Sequence, residues 1–222
     1  MENFQDLWNS IQWDLLSDLL KRLLAVLLCL SVHETCHGLA AYALGDPTAK
    51  RMHRLSLNPL QHIDWFGLAA MLIAGFGWAK PVPVDMRYFK NPKRGMALCA
   101  LAGPVSNFLL AALCMPLAYG ALYAALSGTA VGVMIWLFDF FIQTALLSIG
   151  LGVFNLIPIP PLDGSKVLFA FLPDRMYGRL MQYERYGMLL LFVLIAVGAL
   201  NGVVNTMYNA VLQVFGAIFG LW

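Results

Sequence analysis

Apolar residues run through the chain in long blocks separated by short polar stretches, and the block lengths match membrane-crossing helices. The first block covers about residues 23 to 45, a shorter one 66 to 79, the next about 96 to 126, and another about 131 to 157. Residues 186–222 hold no Asp, Glu, Lys or Arg. That is enough for one tilted span plus an interfacial helix, or for a tight hairpin broken near Asn201-Gly202. Residues 1–20 carry a stripe of Phe4, Leu7, Trp8, Ile11 and Leu15 beside Glu2, Asp6, Asp14 and Asp18. With acids and no base they read as an interfacial helix, not a cleavable signal.

The block at 66–79 is short for a crossing helix, and "GFGWAKPVPVD" behind it brings glycines and prolines that favour extended chain. A re-entrant extended or β loop follows, tolerable at membrane depth where protein or a wet cavity covers its backbone. The expected fold is an all-α polytopic membrane protein of about four to six transmembrane segments. One membrane-embedded domain fills 1–222: the N-terminal helix at 1–20, a core at 23–172 and C-terminal membrane segments at 186–222.

Composition agrees: 60% of residues are hydrophobic and 12% charged, outside the range of soluble domains. A net charge of +2 gives no footprint for nucleic acid. Cys29, Cys36, Cys99 and Cys114 lie in apolar stretches without CxxC spacing and read as buried thiols. If 66–79 is re-entrant, twelve of the fourteen bases share one side, leaving Lys21 and Arg22 opposite. The positive-inside rule makes the richer side cytoplasmic. The polar cluster of the first span then lies in its cytoplasmic half, in a multi-pass protein of the plasma membrane.

That cluster, "HETCH" at 33–37, sits inside an apolar block. A glutamate at such depth costs roughly 2.5–3.5 kcal/mol, which weighs against a purely structural role. On a helix His33 and His37 project from one face, their bases about 6 Å apart. Two neutral imidazoles so placed can share one Zn²⁺, and Glu34 can take a proton from the attacking water. A catalytic zinc calls for a third protein ligand. The membrane-embedded candidates are Asp139 and Asp163. Pro158, Pro160 and Pro161 break the helix before Asp163 and leave it on irregular backbone on the HETCH side. Asp139 belongs nearer the opposite side and is the poorer choice. His53 and His62 read as interfacial anchors.

"HETCH" followed by "NLIPIPPLDG" resembles the paired signature of the site-2 protease family of intramembrane zinc metalloproteases. "LAGPVSN" at 101–107 is similar to the glycine and asparagine motif that family carries between the two. "SLNPLQHID" and "FGWAKPVPV" resemble its small members without a PDZ domain. The likeness covers roughly residues 20–170. It implies one zinc per chain held by His33, His37 and Asp163, with Glu34 as general base. It further implies Asn155 near the metal, steadying the oxyanion or the substrate backbone, and Asn107 acting similarly. The implied activity is hydrolysis of peptide bonds within transmembrane segments of membrane-protein substrates, as in regulated intramembrane proteolysis, with the bilayer as the other partner. The extended "GWAKPVPV" segment is expected to pair with the unwound substrate as an added strand. The sequence leaves oligomeric state open.

The rival from another class is a membrane zinc transporter or sensor without hydrolysis. It calls for ligands along a through-path, whereas these ionisable groups gather at one depth. A zincin of the prenyl-protein-processing type would take a downstream glutamate as ligand, and Glu184 has no histidine near it.

Overall fold

A computed structural model describes residues 13–67 and 80–220. Apolar chain in lipid must satisfy its backbone groups internally, and the described residues do so as helices, without a strand. The first apolar block and the end of the acidic segment fuse into one 31-residue helix, α1 (Trp13–Ala43). Gly45, at φ +104°, turns the chain out of it. Fully buried Asp46 then accepts N–H bonds from Thr48 at 2.9 Å and Asp85 at 2.7 Å, stitching the two ends of the following loop together.

Asn91 caps α2 (Pro92–Leu126), its side chain accepting from the Arg94 N–H, with Pro92 in the first turn. After it come α3 (Val131–Asn155), the short α4 (Asp163–Phe169), α5 (Asp174–Ala196) and α6 (Asn201–Phe219). By length and composition, α2, α3 and α6 can each cross a membrane, and Tyr186–Ala196 of α5 is a shorter apolar stretch.

The core forms where α2 meets α3, with Ala111, Cys114 and Met115 against Ala145, Ile149 and Val153, closed by Phe215 of α6. Small residues allow the close approach, as usual where packing rather than dehydration drives helix association. A Cβ on Gly152 would come within 2.9 Å of Phe108 and 3.2 Å of the Pro104 carbonyl. At one end of α1, buried Lys21 lies 2.8 Å from Asp18 and 3.3 Å from Asp139 of α3, so the buried ammonium is paired. Beyond α3, the proline-rich turn is held by Ile157 and Leu162 packing on Leu191 of α5 and Leu200. Gly187 is the contact point: a Cβ there would sit 2.5 Å from that of Pro160.

The blocks read from hydropathy correspond to α1, α2 and α3, with α1 and α2 starting earlier. In the C-terminal region the chain breaks at residues 197–200, where Gly198 has φ +70°, just before Asn201-Gly202, which opens α6. Residues 1–12 of the expected interfacial helix and 68–79 of the expected re-entrant loop lie outside the described residues.

Candidate metal centre

His33 and His37 extend from α1 toward α2, which meets them with a glycine. A Cβ on Gly103 would lie 2.5 Å from Cε1 and Nε2 of His37 and 2.6 Å from Cε1 of His33. The rings cross edge to face, centroids 4.5 Å apart. Cys99, Gly103 and Asn107 recur every four residues on α2 and so share one face. His37 Nδ1–H donates to the Cys99 carbonyl at 2.7 Å, which leaves Nε2 of the neutral ring as an acceptor. The Asn107 amide lies 3.2 Å from His33 Nδ1. Placing Oδ1 toward His33 lets it accept the Nδ1 proton and gives that otherwise unpartnered buried oxygen a donor.

The proline-broken turn after α3 delivers the third group. Asp163 opens α4, and a Cβ on the following Gly164 would collide with the backbone carbonyl of Leu156, so the turn closes this tightly only with glycine there. Asp163 Oδ2 is 3.1 Å from Nε2 of both histidines, and those nitrogens are 3.0 Å apart. All three side chains are buried, with potential ligand atoms within 4.8 Å of one another. Lone pairs of two imidazoles and a carboxylate converging without a donor repel unless a cation lies among them. A His, His, Asp set suits zinc, and ligand atoms around a tetrahedral zinc are roughly 3.3 Å apart for bonds of about 2.0–2.1 Å. The residues fit the metal.

Glu34 borders the same cavity, of about 360 Å³, and its Oε2 accepts the Val82 N–H at 2.9 Å. Pro81 and Pro83 have no N–H, so this is the one amide donor of Pro-Val-Pro. The Lys80 N–H goes to the His62 carbonyl at 2.9 Å, while Arg54 donates to the carbonyls of Lys80 and Pro81. The two N–H groups of residues 80–83 are therefore both spent within the chain. Residues 77–79 of the segment expected to pair with an unwound substrate lie outside the described residues.

The remaining predicted residues divide. Asn155 lines the cavity, its Nδ2 donating to Leu151 O at 3.0 Å. Asn107 is fully buried behind His33, off the cavity wall. Asp139 lies with Lys21, away from the site. His53 is exposed, whereas His62 is buried, bonds the Ser56 carbonyl at 2.6 Å and lies 3.5 Å from the Thr35 hydroxyl of α1. Lys166, also on the cavity wall, lies one helical turn after Asp163, and sequence reading counted it only as a topogenic base. Its i+3 spacing from Asp163 was the available signal.

Apolar helices enclosing a His-His-Asp cluster with an adjoining glutamate define a membrane zinc metalloprotease. A model of peptidase family M50 matches residues 21–200, and the chain belongs to that family, the site-2 protease family of the sequence reading. It is 38% identical over 205 residues to "Putative zinc metalloprotease YwhC" of Bacillus subtilis, covering 88% of this chain and 91% of that one. It is 31% identical over 179 residues to "Putative zinc metalloprotease Rip2" of Mycolicibacterium smegmatis, covering 79% and 66% respectively. No solved structure matches the chain.

Proposed function

We propose that this metalloprotease cuts peptide bonds within transmembrane segments of membrane-protein substrates, in regulated intramembrane proteolysis. The observation that carries the reading is the convergence of His33, His37 and Asp163 within 4.8 Å, beside Glu34, in a cavity among apolar helices. In this reading the three residues hold one zinc per chain. When bound, the metal polarises a carbonyl and acidifies water. Glu34, oriented by the Val82 N–H, accepts the water proton and passes it toward the leaving nitrogen. Asn155 faces the cavity with an amide suited to the developing oxyanion or the substrate backbone. Asn107 acts on His33, fixing its tautomer and tilt, instead of touching substrate.

A transmembrane helix keeps its carbonyls in hydrogen bonds, so the substrate unwinds locally to be cut. The distribution of bases supports a plasma-membrane protein whose site opens toward the cytoplasm. The test compares reconstituted wild type with Glu34→Gln on single-span substrates. Zinc retained and cleavage lost upholds the reading. Zinc bound by both proteins with no cleavage by either turns it toward a zinc sensor or transporter.

A further inference from the structure

Lys166 has no part in the reading above. Its side chain is 26% exposed and lines the cavity with the metal-binding residues and Glu34. Keeping an ammonium mostly dehydrated is costly unless donors and charge are used. Its one charged neighbour among the described residues is Asp163 Oδ1, at 3.8 Å, too far for a hydrogen bond. Asp163 meanwhile turns Oδ2 to the two histidines. Lys166 therefore lines the cavity with no hydrogen bond from its ammonium among the described residues. The other basic side chains nearby are engaged elsewhere: Lys93 with Asp174 and the Leu172 carbonyl, Arg54 with the carbonyls of Lys80 and Pro81.

Charge sharpens the point. Glu34 and Asp163 each bring one negative charge to the cavity, and a dication in the His-His-Asp set balances them. Lys166 then leaves one positive charge over. Hydrolysis makes one new anion there. The C–N bond breaks, the water oxygen joins the carbonyl carbon, both water protons end on the leaving nitrogen, and the products are a carboxylate on the N-terminal fragment and an ammonium on the C-terminal fragment.

We propose that Lys166 is the cationic subsite for the carboxylate end of the N-terminal cleavage fragment, and that it attracts the same oxygen while negative charge builds on it. The assignment rests on the protease reading, and binding tests it without cleavage. The probes are two otherwise identical hydrophobic peptides, one ending in a free α-carboxylate and one in a C-terminal amide. Their affinities for zinc-loaded full-length protein in nanodiscs are measured for wild type, Lys166→Met, Lys166→Gln and Lys166→Arg.

Wild type binds the acid more tightly than the amide. Removing a charge-assisted hydrogen bond lowers that preference about tenfold or more in the Met and Gln variants. Lys166→Arg keeps it within about threefold, and zinc content is the same in all four. A wild type without preference for the acid, or a preference unchanged in both neutral variants, overturns the assignment. So does loss of zinc in the neutral variants, which would make Lys166 a positioning residue for Asp163. Failure of wild type to cut any single-span substrate, read separately, counts against the protease reading, whereas the acid preference and its loss in the neutral variants report on the carboxylate site itself.

Discussion

Gly103→Ala places a methyl where both imidazoles already lie, 2.5 Å from His37 and 2.6 Å from His33. Carbon contacts are comfortable at about 3.5–4.0 Å, so each ring, or the helix carrying it, must retreat by about 1 Å. A histidine tip is usually free to swing away, but these two are pinned. His37 is held by the Cys99 carbonyl and His33 by Asn107. Retreat therefore breaks the bonds that orient the ligands. Disturbing such supporting bonds costs about 10–100-fold in metal affinity, and a 1 Å misplacement costs about 100-fold in rate. Zinc affinity of purified protein, by competition with a chromophoric chelator, should fall by about that factor while far-UV circular dichroism stays unchanged. Affinity within about threefold of wild type at equal helicity would refute the close-approach argument.

Asn107→Leu removes the acceptor of the His33 Nδ1 proton at nearly constant volume and should weaken zinc binding about 10–100-fold by the same competition assay. Gly164→Ala drives a methyl into the Leu156 carbonyl and should displace Asp163. Zinc stoichiometry should drop with it, and full occupancy would show that the turn adapts. Asp163→Asn replaces a carboxylate by an amide and, if the three residues hold the metal as proposed, should leave the purified protein largely free of zinc by elemental analysis.

The sequence made legible those features that a residue type and its spacing betray. HETCH on a helix puts two imidazoles on one face, three prolines force the turn before Asp163, and uninterrupted apolar blocks become α1, α2 and α3. The supports of the site were not legible in that way. The Cys99 carbonyl and Val82 N–H are backbone groups that any residue offers, and their partners arrive from other segments. Gly103 stood inside the quoted LAGPVSN motif, yet only packing shows that both rings rest on it. The LAGPVSN resemblance implies that Asn107 acts like Asn155, but a motif carries no information on which face the side chain takes, and Asn107 is buried behind His33. At the C-terminus the absence of charge from 186 onward removes the polar punctuation that marks helix ends, so one tilted span and a hairpin both fit the sequence, and the break falls at Gly198, just before Asn201-Gly202.

The most direct test of the central claim is mass spectrometry of the fragments formed when the reconstituted, zinc-loaded protein meets a single-span substrate, with Glu34→Gln in parallel. The account predicts a cut mapped inside the span for wild type, and zinc at the wild-type level with the substrate intact for Glu34→Gln. Cleavage confined to residues outside the span, or unimpaired cleavage by Glu34→Gln, would contradict it.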